Sequence, residues 1–133
     1  MPLIWNDTLA TGVRQIDLQH QELIEIINEL EAACVAGHQT VALDEVLPRL
    51  GAYVLFHFGT EESMLPSVCS EHAQTHRRQH AEFSARVAAL RDQPATSIDL
   101  SGFVEYLKDW LINHIMRTDR ELGQLIAART PMC

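Results

Sequence analysis

The sequence predicts an all-α protein, an up-down-up-down four-helix bundle with an irregular N-terminal arm. Three observations predict it. Apolar residues recur at three- and four-residue steps in four stretches, short polar connections with cap or turn residues separate the stretches, and no run alternates with the two-residue period of a strand. Helices joined by connections of a few residues must lie antiparallel to their neighbours, which gives the up-down-up-down order. The 133 residues form a single expected domain, 1–133, without an internal repeat or a low-complexity segment. A chain of this size buries about two-thirds of its unfolded surface.

Residues 1–16 form the arm, punctuated by Pro2, Asn6, Asp7 and Gly12. The first helix is expected over about 18–36, with Asp17 as its N-cap and Gly37 as its stop. The second is expected over about 40–64. Pro48 lies inside it, so that helix must kink there or start later than its pattern suggests. The third is expected over about 70–91, ended by Asp92-Gln93-Pro94, and the fourth over about 97–128. Thr96 with Asp99 three residues on resembles a capping box at the start of the fourth.

A formal charge of −8 excludes nucleic acid and anionic membrane surfaces as expected partners, because both reward excess Lys and Arg. No stretch approaches the roughly 20 apolar residues of a membrane span. The N-terminus shows no basic region followed by an apolar run, so the expected compartment is the cytoplasm. Cys34, Cys69 and Cys133 make no CxxC spacing and are expected to be free thiols without a role in the chemistry.

The core-facing stripes carry the chemistry. They read Ile16, His20, Leu23, Ile27, Leu30, Cys34 in the first helix and Leu43, Leu47, Leu50, Val54, His57, Glu61, Met64 in the second. The third reads Ala73, His76, His80, Phe83, Val87, Leu90, and the fourth Leu100, Phe103, Leu107, Trp110, His114. Each stripe is apolar except for a short interval of His or Glu. His20 is near the start of its helix, His57 and Glu61 near the end of theirs, His76 and His80 near a start, and His114 past the middle of the fourth. In antiparallel neighbours these intervals fall level, at one end of the bundle. Asp119 follows His114 by five residues, about 140° round a regular α-helix, and lies on the adjoining row with Ile112, Ile115, Leu122 and Ile126. His38 and His72 fall off the stripes and are expected at the surface, as is Glu62.

A lone histidine on an apolar helix face ordinarily reads as a satisfied core residue. Five imidazoles and two carboxylates at one level do not, because a buried carboxylate costs several kcal/mol without a partner and no Lys or Arg shares the layer. Metal ions supply the missing charge. His57/Glu61 and His76/His80 are i, i+4 pairs whose side chains share a helix face, as a chelating pair requires. Seven donors exceed one four-coordinate zinc. They suit two octahedral metals sharing carboxylates, and nitrogen and oxygen donors without thiolate suit iron or manganese.

These residues resemble the hemerythrin family, in particular the single-domain bacteriohemerythrins. The likeness covers Trp5, Gly12-Val13, Ile16-Asp17-Leu18-Gln19-His20, His57-Phe58-Gly59-Thr60-Glu61-Glu62, His76 and His80 with Phe83, and Trp110 with His114-Ile115 and Asp119. Family members, myohemerythrin among them, are up-down-up-down bundles. The resemblance implies two iron ions as cofactor, cycling between Fe2+ and Fe3+, with a bridging oxo or hydroxo group. It places His76, His80 and His114 on one iron, His20 and His57 on the other, and Glu61 and Asp119 across both. The second iron would keep an open position for dioxygen, or for nitric oxide or a small anion such as azide. Leu23, Phe58, Trp110, Leu111 and Ile115 would line an apolar pocket that excludes water and slows autoxidation. The sequence departs from many relatives at Ser70-Glu71, where they carry Tyr-Pro, so the loop 65–70 is expected to differ in shape.

The implied function is reversible dioxygen binding for storage, delivery or sensing, rather than catalysis. The competing reading is a di-iron enzyme or scavenger acting as an oxidase, as a peroxidase or on nitric oxide. Di-iron oxygenase bundles use more carboxylates, often in Glu-xx-His motifs. Five imidazoles to two carboxylates stabilise high-valent iron less well, which favours binding over O–O cleavage. A third reading is an iron store or metal-dependent interaction module, and dioxygen binding ranks ahead of both alternatives. No protein partner is legible.

Overall fold

In a computed structural model, which describes residues 2–128, helix α1 spans Arg14–Val35 and so starts ahead of the expected boundary. Asp17 is not its N-cap but lies in its first turn. From there its carboxylate reaches back to accept hydrogen bonds from the Thr11 backbone N–H and hydroxyl, both at 2.8 Å. The helix ends as expected at Gly37, whose φ of +77° suits a residue without a Cβ. The His38 N–H bonds the Ala33 carbonyl at 2.9 Å and the Gly37 N–H that of Cys34 at 3.1 Å, a Schellman closure.

Helix α2 (residues 39–64) passes through Pro48 without a break. It opens as Gln39–Val41, widens into a π-turn over Ala42–Val46 and continues as an α-helix over Leu47–Met64. In a regular helix the proline ring would collide with the carbonyl four residues back. The wider turn shifts that carbonyl and puts Pro48 in the first turn of the α-helical segment, where no N–H is needed. A 3-10 turn, Leu65–Ser67, leads to α3 (Ser70–Arg91).

Helix α4 (residues 100–128) runs as Leu100–Asn113, a π-turn over His114–Asp119, and Arg120–Ala128. Its cap is Asp99, whose carboxylate accepts the Gly102 N–H at 3.0 Å. The Thr96 capping box does not form, because Thr96 sits in a separate 3-10 turn, Ala95–Ser97. Helix α1 packs on α2 and α4, and α2 on α3. The Phe83 and Trp110 rings, 4.2 Å apart, join α3 to α4. The described residues contain no strand, and none of their helices is long and apolar enough to cross a membrane.

The arm is strapped to α1 by a reciprocal pair, Leu3 N–H to the Asn28 side-chain oxygen and Asn28 amide to the Leu3 carbonyl, both at 2.8 Å. Leu3 and Trp5 pack on the core from there. That core is split in two. A large cluster contains Leu23, Leu30, Phe58, Phe83, Leu107, Leu111 and Ile115, and a small one contains Ile16, Leu65, Val68, Ala73 and Leu122. Along every helix the polar residues of the stripe lie between the two clusters.

Cysteine corrects one expectation. Cys69 is buried and disulfide-bonded rather than free, Cys34 is free, and Cys133 lies outside the described residues. Separation along the chain says little about proximity in a bundle, so spacing alone could not reveal the bond.

Gly123 is buried where α4 meets the arm, and a Cβ there would collide with the Thr11 carbonyl. An unstrained Gly-to-Ala change inside a helix stabilises by about 1 kcal/mol. Here the collision reverses the sign, and G123A is expected to destabilise by about 1–3 kcal/mol in urea unfolding. An unchanged or raised midpoint would contradict this close approach.

Candidate metal centre

Four helices each contribute side chains to one layer. His20 comes from α1, His57 and Glu61 from the end of α2, His76 and His80 from the start of α3, and His114 and Asp119 from α4. The π-turn over His114–Asp119 gives Asp119 its place. Five residues apart, the pair diverges on a regular α-helix, but i→i+5 bonding closes that angle and brings both onto the inner face. All seven are at most 4% exposed.

The two carboxylates face both ways. Glu61 Oε1 lies 3.1 Å from His76 Nε2 and 3.0 Å from His80 Nε2, while its Oε2 lies 2.9 Å from His57 Nε2 and 3.3 Å from His20 Nε2. Asp119 Oδ1 lies 3.1 Å from Nε2 of both His76 and His114, and Oδ2 lies 2.9 Å from His20 Nε2. Each carboxylate therefore offers one oxygen to the His76/His80/His114 side and the other to the His20/His57 side. All five imidazoles point Nε2 inward.

Two features show that the donors outrun what protons can satisfy. Both Asp119 oxygens are buried without a hydrogen-bond partner among the described residues, although imidazole nitrogens stand close by. His80 Nε2 and His114 Nε2 face each other at 3.2 Å, where at most one can donate. Two sets of donor atoms lie within 4.8 Å of one another, one from Glu61, His76, His80 and His114, the other from His20, His57, Glu61 and Asp119. Either set could hold a cation of intermediate softness through nitrogen and oxygen.

The electrostatics show the same tension. Burial works against a charged imidazole at His20 and His114, but the Asp119 and Glu61 carboxylates outweigh it and push both up to about 9. His76 is raised by the same pair against the same burial. His80 is lowered, because burial, with His76 and His114 beside it, outweighs Glu61. Burial alone would raise Glu61, yet the imidazoles of His114, His20, His57 and His76 hold it well below the usual carboxylate range. Asp119 is also held low, burial and Glu61 being overcome by His114 and His20.

Outer partners fix the rings. His57 Nδ1 meets the Gln19 side-chain oxygen at 2.8 Å, and Gln19 in turn donates to Thr60 at 3.2 Å. His114 Nδ1 meets the Gln79 oxygen at 2.8 Å, which also accepts from Thr118 at 2.7 Å. Glu62, expected as plain surface charge, is half-buried with Oε2 3.4 Å from His80 Nδ1. His72, expected at the surface, is buried between His76 and Glu121, whereas His38 is exposed. The sequence reading missed Gln19, Gln79 and Thr118. A signal existed, since each glutamine immediately precedes a stripe histidine and His72 stands one turn before His76.

The apolar residues singled out beside the site are where the large cluster meets the layer. Leu23, Phe58, Leu111 and Ile115 are buried and Trp110 is half-buried. Phe58 stacks on His80 at 3.7 Å and 3°, and Trp110 on His114 at 4.5 Å and 13°.

Comparison with known proteins matches residues 11–126 to the hemerythrin HHE cation binding domain. A bacteriohemerythrin of Pseudomonas aeruginosa is 34% identical over 98% of this chain and 84% of its own length. One of Stenotrophomonas maltophilia is 32% identical over 95% of this chain and 82% of its own. The crystal structure of a hemerythrin point mutant superposes with a TM-score of 0.84 at 22% identity, covering 96% of this chain and 99% of that one. The chain therefore belongs to the hemerythrin HHE cation-binding family.

Proposed function

We propose that this protein binds dioxygen reversibly at a di-iron centre. His76, His80 and His114 would hold one iron, His20 and His57 the other, and Glu61 and Asp119 both. The observation that carries the reading is the split of each buried carboxylate, one oxygen toward each histidine group. Membership of a cation-binding family and the bacteriohemerythrin relatives support iron as the metal. Two Fe2+ ions against two carboxylates and a hydroxide leave a near-neutral sum, which a low-dielectric layer tolerates. When bound, the irons supply the electrons that a reversible oxygen adduct needs.

The chain's own residues do the rest. Gln19, Gln79, His72 and Glu62 orient four of the imidazoles, so the donor set is arranged before loading. Phe58 and Trp110 cover the faces of His80 and His114. Leu23, Leu111 and Ile115 wall the layer on the large-cluster side, where they would exclude water and slow oxidation of the site. The same site would accept nitric oxide or a small anion such as azide. Storage, delivery and sensing are all served by such a site, in the cytoplasm as the expected compartment.

The test is the visible spectrum of the anaerobically reduced, iron-loaded protein before oxygen, after oxygen and after degassing. Charge-transfer bands that appear with oxygen and vanish on its removal are expected. Irreversible passage to the diferric form would instead favour the enzyme or scavenger reading. H76A and E61A are expected to lose stable loading of two irons, and retention of both would break the ligand assignment. L23Q is expected to keep its iron but autoxidise faster. An unchanged rate would remove Leu23 from the pocket wall.

The raised imidazoles give a pH prediction for the metal-free protein. His20 and His114, raised from 6.5 to about 9, stabilise the fold fully below about pH 6.5, and this contribution is lost as pH rises through about 9. Glu61 and Asp119, held low, stabilise it above their ordinary values of 4.5 and 3.8 and lose that contribution as pH falls. Metal-free protein should thus be most stable between about pH 4.5 and 6.5. Iron must displace protons from His20 and His114, so its apparent affinity should rise from pH 6 toward about 9. Thermal unfolding of the metal-free form and proton release on loading check both signs. A pH-independent affinity would contradict them.

A further inference from the structure

We propose that His72 and Glu121 form a charge relay that fixes the tautomer of His76 and strengthens it as a metal donor. The inference rests on His76 being a ligand, as argued above. His72 Nε2 lies 3.0 Å from His76 Nδ1, and His72 Nδ1 lies 2.7 Å from Glu121 Oε1. The two rings meet edge to face, 5.1 Å between centroids at 75°. His72 is 4% exposed, while the Glu121 side chain is 59% exposed, so the chain runs from surface to layer in two hydrogen bonds.

Each proton in the relay is fixed by the next. For His76 to turn an Nε2 lone pair inward, its Nδ1 must carry the proton, and that proton needs an acceptor. His72 Nε2 is that acceptor only when the His72 proton sits on Nδ1. The Nδ1 proton then points at a carboxylate, which only accepts. One tautomer satisfies all three groups, and in it the negative charge of Glu121 polarises both rings toward the metal side. The other imidazoles have weaker arrangements. His57 and His114 meet neutral amide oxygens, His80 meets Glu62 at 3.4 Å, and His20 Nδ1 has no partner among the described residues. Within the layer His76 is thus the ligand with a carboxylate relayed through a buried imidazole.

The backbone explains why Glu121 is available. It stands two residues past the π-turn that swings Asp119 inward, at the start of Arg120–Ala128. The same local widening therefore sends one acid into the layer and the other out toward α3.

The test uses the full-length protein loaded anaerobically with ferrous iron alone, in unsubstituted form and as E121Q, H72F, H72Q and E121Q/H72F. The readouts are the rate of iron release to a ferrous chelator and the reduction potential of the site. Loss of an outer partner typically weakens metal binding roughly 10–100-fold, so E121Q and H72F are each expected to speed release about tenfold or more and move the potential positive. H72Q, whose amide oxygen still accepts from His76, should release iron more slowly than H72F. The double variant should be no faster than H72F, because both changes cut one relay. Release by both single variants within about twofold of the unsubstituted protein would overturn the inference, as would additive effects in the double variant, which would mean a through-space charge. If H72F fails to fold, E121Q decides the matter alone through both readouts, since its substitution lies at the surface. If the unsubstituted protein fails to hold two irons, the di-iron reading itself falls, and that outcome is distinct from unmoved variants.

Discussion

Two carboxylates buried in one layer, with no Lys or Arg beside them among the described residues, are the constraint on which this structure depends. Glu61 and Asp119 are fully buried, and among the described residues their close neighbours of opposite tendency are imidazoles. The buried lysine of the protein, Lys108, is engaged with Glu31 between α4 and α1 and does not serve the layer. Desolvating even one carboxylate costs several kcal/mol unless a partner answers it. Protonated imidazoles answer in part, but they leave both Asp119 oxygens without a hydrogen bond. The layer is tolerable in this form and better matched to cations bound at the ring nitrogens.

The fold is arranged around that layer. It divides the hydrophobic core into a large and a small cluster, so each helix must pass from apolar to polar and back to apolar within a few turns. The small cluster of Ile16, Leu65, Val68, Ala73 and Leu122 closes the end of the bundle and keeps the site out of water. The arm covers this end through Thr11, held by Asp17 and pressed against Gly123. Packing on both sides fixes ring positions, and the outer hydrogen bonds of Gln19, Gln79 and His72 fix ring orientation.

Much of this was legible in the sequence. The helical stripes and their polar intervals are local patterns, and antiparallel order makes four such intervals coincide. What was not legible depended on departures from regular helix geometry or on distant contacts. Asp119 reads as a layer residue one row away from His114 at α-helical spacing, and the π-turn that brings the two into line has no signal in the sequence. Pro48 suggests a kink or a later start, and a π-turn just before it carries the helix through, with the regular α-helical segment starting at Leu47. His72 looks like a surface residue because its stripe is narrow, and its partner Glu121, itself exposed, comes from α4, 49 residues away. Asp99, not Thr96, caps α4 because the preceding turn is separately closed. The Cys69 disulfide left no trace in cysteine spacing.

The central claim is that the layer is built for two cations rather than one or none. Calorimetric titration of metal-free protein with ferrous iron under anaerobic conditions tests it most directly. The account predicts saturation at two irons per chain, with protons released as they bind. Saturation at one iron, or the absence of stoichiometric binding, would contradict it.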